Sequence, residues 1–263
     1  MKRLFAESGV KGRMKKYAFS VTLLSMIVIL LSRASGESPK YGSSEDWGDK
    51  YYKAGAISIY DPKMGAFGSV DGDKALMHFN IVDVGKFAGH LCAGSTSGFM
   101  ITKIALQNLY ANGEIPERGD ILLTTSAKGE PMEIAAFIIG VSDEDHHGFM
   151  SWMIDKSLAK KKGHLVFVFE RISTGKRVKI TWNKAKTIKA HVGDVERFKK
   201  MKMKTVHGLA SDTVAKEWGR LVNGLAMKII NGEVKYKVEV LNQGTAKPTK
   251  SYREGCRCHD IMS

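Results

Sequence analysis

The spacing of apolar and polar positions changes along the chain, and each spacing predicts an element. Met100, Ile101, Ile104, Ala105 and Leu109 recur at helical intervals, which predicts a helix over 99–110 closed by Asn112-Gly113. Asp120 to Ser126 reads as a strand that turns at Lys128-Gly129, and Glu130 to Ile139 as a helix ended by Gly140. Leu165 to Arg171 is a nearly continuous apolar strand. Thr174-Gly175-Lys176 turns it into an alternating strand from Arg177 to Trp182, so the two form a β-hairpin. Asp194 to Lys204 reads as a basic helix. Thr213 to Ile230 reads as a longer one, introduced by Ser211 and Asp212, which are good N-cap types. Asn231-Gly232 leads into a half-exposed strand over 233–241, where Val234, Tyr236, Val238 and Val240 alternate with charges. Leu76, His78, Ile81, Val82 and Val84 fit a short helix or a strand, and residues 54–73 are Gly-rich with few apolar positions. Mixed helices and β-hairpins with no internal repeat predict an α+β fold.

The first 36 residues follow a different logic. Lys2, Arg3, Lys11, Arg13, Lys15 and Lys16 precede an apolar run from Tyr17 to Leu31, and Ala34 and Gly36 supply small residues at a cleavage site. The run is shorter than the roughly 20 residues of a comfortable bilayer span, so the pattern is that of a secretory signal. The expected location is extracytoplasmic, periplasmic or secreted, with an uncleaved N-terminal anchor as the alternative. The expected layout is a signal peptide over 1–36 and a flexible mature N-terminus over 37–74. An α+β domain over 75–241 follows, with a C-terminal helical extension, and then a Cys/His-containing tail over 242–263.

This segment also changes the meaning of the charge. The chain has 263 residues, 41 Lys+Arg against 27 Asp+Glu, and a net charge of +14. Residues 1–36 carry 7 basic and 1 acidic side chains, residues 37–191 carry 20 and 18, and residues 192–263 carry 14 and 8. The body is nearly neutral and the excess is terminal. Arg197, Lys199, Lys200, Lys202 and Lys204 crowd one segment, with Met201 and Met203 between them; Lys160 to Lys162 form another run. A polyanion or anionic-membrane contact would use such charges, and so would a solvated helix face. No nucleic-acid motif accompanies them, so nucleic acid is not an expected partner. Membrane contact is expected only through the signal segment.

The chemistry concentrates around Cys92. In Phe87-Ala88-Gly89-His90-Leu91-Cys92-Ala93-Gly94 the imidazole and the thiol are two residues apart, on one face of an extended segment. Such a pair suits a borderline metal such as zinc. The helix that opens at Ser95 is expected to lower the thiol pKa through its free N–H groups and dipole. Gly94 and Gly98 permit close backbone approach.

The stretch FAGHLCAGSTSGFMITKIALQNL resembles the opening of the FmdE family domain of formylmethanofuran dehydrogenases, which reads approximately FHGHxCPGxxxGxR and runs into a helix. PMEIAAFIIGVSDEDHHGFM and KKGHLVFVFERISTGKRVKI are similar to its later blocks, and the match covers about residues 75–241. The resemblance implies a metal-binding α+β domain, often a homodimer, with His90 and Cys92 as ligands and Glu133 at the acidic position. The chain departs from the pattern in several places. Ala88 replaces the first His and Ala93 the Pro, the family's second Cys has no counterpart, and its C-terminal zinc ribbon is missing as such.

Other candidates could complete such a site. Asp143-Glu144-Asp145-His146-His147 is a run of five coordinating side chains, and His147 or His146 could supply the missing nitrogen. His164 starts an apolar strand; Cys256, Cys258 and His259 cluster in the tail, read as a degenerate remnant of the family's zinc ribbon, a metal clip or redox pair, or a plain tail. The expectation is transition-metal binding, with zinc first and Glu133 as a candidate base if a coordination position stays open. The rivals are an extracytoplasmic carrier of a metallocofactor, haem or other tetrapyrrole, or a small molecule, and a non-catalytic interaction protein with a vestigial site. Met100, Phe149, Met150 and Trp152 would line the carrier's pocket.

Overall fold

The structure, a computed structural model, describes residues 48–71, 75–142 and 150–241. The expected signal segment, His146 and His147, and Cys256, Cys258 and His259 lie outside these residues. The described chain begins with a 3-10 turn over Asp49–Ala54 and an antiparallel pair, β1 (Ile57–Tyr60) and β2 (Leu76–Phe79), with the short helix α1 (Pro62–Ala66) between them. Helices α2 (Ile81–Ala88) and α3 (Ala93–Leu109) follow, then strand β3 (Ile121–Thr125) and helix α4 (Glu130–Ile139). The two-residue strands β4 (Val141–Ser142), β5 (Met150–Ser151) and β6 (Met153–Ile154) lead to the long hairpin of β7 (His164–Arg171) and β8 (Lys176–Asn183). Helices α5 (Lys184–Val192), α6 (Val195–Val206) and α7 (Asp212–Ile230) and strand β9 (Lys237–Leu241) complete the described chain.

The main sheet has the order β6-β3-β7-β8-β9, antiparallel except where β3 meets β6. Its register explains the core. Leu123, Phe169 and Val178 stand side by side across three strands and Phe167 and Ile180 form the next row; Val240 and Val238 of the edge strand continue these rows but stay exposed. The two-residue period of a strand puts both rows on one face. Helices α3 and α4 cover that face with Phe99, Ile101, Ala105, Ile134 and Ile138, all fully buried. This is a mixed α+β architecture, as the pattern predicted. Among the described residues no helix is long and apolar enough to cross a membrane.

Several boundaries differ from the expectation for local reasons. Residues 76–84 resolve into a strand and a helix, because Asn80 builds a capping box between them. Its side chain accepts from the Val82 and Asp83 N–H groups while its own N–H donates to Asp83 Oδ2 at 2.9 Å. Helix α3 starts at Ala93, six residues before its apolar periodicity begins, and ends at Leu109; Asn112-Gly113 is a separate turn beyond it. Ile57 and Ile59 of β1, within the stretch expected to be flexible, are buried in the core. Only Lys237–Leu241 forms the last strand, while Val234 and Tyr236 pack against the core ahead of it. Helix α5 has no apolar period and was not expected; it is held at its start by Asn183, whose side chain accepts from Lys186 N–H.

Two contacts fix helix α4. At its C-terminal end Arg118 donates to the carbonyls of Phe137 and Ile138, which have no intrahelical partners, and pairs with buried Asp61 at 2.9 Å. At its other end it lies against α3 at Gly98. A Cβ there would stand 2.7 Å from the Pro131 carbonyl oxygen, 2.9 Å from Pro131 Cα and 2.8 Å from Ile134 Cβ. Backbone atoms cannot swing aside as a flexible side chain can. Gly98→Ala is therefore expected to destabilise the fold by about 1–3 kcal/mol through overpacking, although alanine is the better helix former. A lowered denaturation midpoint in guanidinium checks this; a raised one would show that helix propensity outweighs the close approach.

Candidate metal centre

The site forms where α3 and α4 begin. Cys92 is the N-cap of α3, with an extended backbone that turns its thiol towards the helix entrance. Its sulfur accepts from Gly94 N–H at 3.1 Å, its N–H donates to Ser95 Oγ at 2.9 Å, and its carbonyl accepts from Thr96 N–H and Oγ1. Helix α2 ends at Ala88, and Gly89 takes a left-handed conformation (φ 73°) that sends the chain back past that helix end. His90 then folds over, its Nδ1 lying 3.0 Å from the Ala88 carbonyl. A carbonyl only accepts, so Nδ1 carries a proton and Nε2 is the ring nitrogen left to face the site.

The third group is Glu130, the first residue of α4. Its Oε2 accepts the Cys92 thiol proton at 2.9 Å, and its Oε1 lies 3.3 Å from His90 Nε2. Gly94 makes room for this carboxylate, because a Cβ at that position would collide with Glu130 Oε2. His90, Cys92 and Glu130 can each turn one ligand atom to within 4.8 Å of the other two, and they are the one His/Cys/Asp/Glu group of this kind among the described residues. His90 remains 55% exposed and Glu130 27%, so the cluster opens to solvent on the imidazole side.

The electrostatics of this arrangement correct one expectation. The helix N-terminus was expected to lower the thiol pKa. Burial instead pushes the Cys92 thiol up, the hydrogen bond to Glu130 and its charge add to the rise, and the Ser95 and Gly94 N–H groups only partly offset it. The thiol therefore gives its hydrogen bond to a carboxylate rather than to an imidazole. That is the reverse of the arrangement that activates a nucleophilic cysteine.

The donor set fits a metal ion. Glu130 Oε1 is buried and makes no hydrogen bond, and His90 Nε2 stands 3.3 Å from it. This buried oxygen is satisfied by a cation, either the imidazolium form of His90 or a metal ion held between the two side chains. Tetrahedral zinc with nitrogen, sulfur and oxygen ligands would hold such atoms about 3.3–3.5 Å apart, close to the observed His90–Glu130 separation. One nitrogen, one sulfur and one oxygen are a borderline set, suited to zinc and its neighbours rather than to calcium or magnesium.

The other expected residues fall elsewhere. Glu133 is exposed on α4, one turn beyond Glu130. His164 starts β7 opposite Asn183 and does not join the cluster. Met100 and Trp152 are partly buried and packed against the core, while Phe149 and the Met150 side chain lie outside the described residues. Glu130 was missed because it was read only as a helix start. Gly129-Glu130-Pro131, facing the Gly94 and Gly98 pair, was the available signal. No protein-family model, curated protein or solved structure matches the chain.

A direct consequence concerns reactivity. In a Cys256→Ser/Cys258→Ser background, Glu130→Gln removes the charge that holds the Cys92 thiol up while leaving its burial. The midpoint of iodoacetamide alkylation against pH is expected to move to lower pH, short of the value of a free thiol. An unchanged or raised midpoint would show that the carboxylate does not act on the sulfur.

Proposed function

We propose that this chain is an extracytoplasmic metal-binding α+β protein related to the FmdE domain, in which His90, Cys92 and Glu130 hold one transition-metal ion, zinc first. The observation that carries the reading is the convergence of one His90 nitrogen, the Cys92 sulfur and a Glu130 oxygen within 4.8 Å of one another, with Glu130 Oε1 buried and without a hydrogen bond. The resemblance at GHLC supports it from the sequence side. There, Glu130 supplies an oxygen in the stretch ahead of Glu133 where a second sulfur ligand has no counterpart. Bound by three protein groups, the metal would supply Lewis acidity at an open position.

The chain's own residues do the rest. The Ala88 carbonyl fixes the His90 tautomer, which is the usual outer-shell device for orienting an imidazole ligand. Glu130 accepts the thiol proton's hydrogen bond before a metal arrives, and binding releases that proton. Affinity is therefore expected to rise with pH. Gly94 keeps the carboxylate within reach of the sulfur.

Elemental analysis of the full chain, again with Cys256 and Cys258 replaced by Ser so that the tail contributes no thiolate, tests the assignment. About one metal per chain is expected. His90→Ala, Cys92→Ala and Glu130→Ala should each lower the affinity by about a hundredfold or more, whereas Glu133→Ala and His164→Ala should leave it unchanged. Cobalt substitution adds a spectroscopic check, since a thiolate-to-cobalt charge-transfer band should vanish with Cys92→Ala. Stoichiometric metal that survives all three ligand substitutions would sink the assignment, and a chain that takes up no metal would mark the site as vestigial.

A further inference from the structure

The second feature without a partner is the solvent side of α6. Met201 is buried against the neighbouring helix, and the opposite side carries Met203 at 56% exposure and Val206 at 61%; Leu209, in the turn that follows, is 76% exposed. Met203 and Val206 are three residues apart on the helix and form a short apolar ridge, with exposed Leu209 just beyond the helix end. At about 100° per residue, Lys202 lies to one side of the ridge and Lys200 and Lys204 to the other. All three lysines are exposed. Arg197 is committed to Glu217 and Lys199 to Glu196, each at 2.8 Å. Lys200, Lys202 and Lys204 have no ion pair among the described residues.

We infer that this face docks on an anionic lipid surface, an interaction independent of the metal site. Charge complementarity supplies the first half of the argument, since unpaired lysines on both flanks are attracted to acidic headgroups. The ridge supplies the second. A helix that lies in a membrane interface needs apolar side chains between its cations, to enter the headgroup boundary while the lysine stems reach outward. A polynucleotide contact has no use for such a ridge, because phosphate binding is carried by the cations alone. Here three large apolar side chains are kept in water among these cations, with the Glu196–Lys199 pair on the same side of the helix.

Hydroxyl-radical footprinting of the full chain tests this, because it reads the side chains themselves and is blind to any lipid contact made by residues 17–31. With phosphatidylglycerol-containing vesicles at low salt, oxidation of Met203 and Leu209 is expected to fall about fivefold. Phosphatidylcholine vesicles should give no such protection, and about 0.5 M salt should abolish it, because the attraction to headgroups is then screened over a few ångströms. Exposed Phe67, at 74%, serves as the reference and should keep its reactivity. Lys200→Glu/Lys202→Glu/Lys204→Glu should lower the affinity of this face by about a hundredfold, and Leu209→Ser alone should also weaken the protection. Unchanged circular dichroism in both variants keeps the comparison one of surface chemistry. The inference is overturned by equal protection with neutral vesicles, by no protection, or by protection that survives the triple charge reversal. It is also overturned if single-stranded DNA protects the two side chains where anionic vesicles do not.

Discussion

The contact of α3 with α4 at Gly94 and Gly98 is the constraint on which the site depends. Two helices normally pack with their axes about 8–10 Å apart, separated by side chains. Here α3 presents hydrogen atoms where α4 begins, so Pro131 can rest on Gly98 and the Glu130 carboxylate can occupy the space beside Gly94. Everything downstream follows from that approach. It brings a carboxylate onto a thiol held at a helix N-cap, and the thiol in turn stands two residues from an imidazole. Arg118 holds the far end of α4, so the helix is pinned at one end by a charge network and at the other by close backbone contact.

The site's electrostatics are a contest that burial wins. A cysteine at a helix N-cap accepts a backbone N–H and feels the positive end of the dipole, both of which favour the thiolate. Cys92 has these partners, yet the thiol is held up, because it is largely removed from water and faces a carboxylate. The cluster without a cation therefore stores its negative charge on Glu130 and its proton on sulfur. A divalent ion would reverse the balance: the same carboxylate that opposes the thiolate would become its co-ligand. The buried Glu130 oxygen, which no hydrogen-bond donor among the described residues satisfies, would then acquire a partner. That unpaired oxygen is what the proposed ligand set explains and a fully satisfied hydrogen-bond network would not.

Much of the fold was legible in the sequence, and the failures have physical causes. The β7–β8 hairpin, β3 and α4 were readable because their apolar residues match the period of the element and glycines mark the ends. The start of α3 was not readable from apolar periodicity, because residues 93–98 are small or polar and buried for close approach; only the Gly- and Ser-rich opening after Cys92 placed it, at Ser95. Helix α5 was hidden for a different reason: it has no buried residue of its own and depends on its cap and its neighbours. His90 and Cys92 were legible as a pair because both lie in one short segment. Glu130 was not, since choosing between it and Glu133 requires knowing which turn of α4 meets Gly94. Side chains on a helix lean towards its N-terminus, which favours the first residue for reaching a group beyond the helix end. That direction is a property of the packed pair of helices.

The C-terminal extension is tied to the same place. Tyr236, just ahead of β9, donates its hydroxyl to Ser97 Oγ at 3.0 Å and packs near Trp182. Ser97 belongs to the first two turns of α3, where Ser95, Thr96 and Ser97 are all fully buried. Buried hydroxyls need partners. Those of Ser95 and Thr96 bond back to the Cys92 carbonyl, while that of Ser97 depends on Tyr236, 139 residues along the chain. Burial raises the Tyr236 pKa to about 12, so the phenol keeps its proton and remains a donor across the neutral range. Helix α7 packs directly on α3 as well. The described part of the basic C-terminal region is thus built into the fold: its last described strand is preceded by the side chain that closes the polar start of α3.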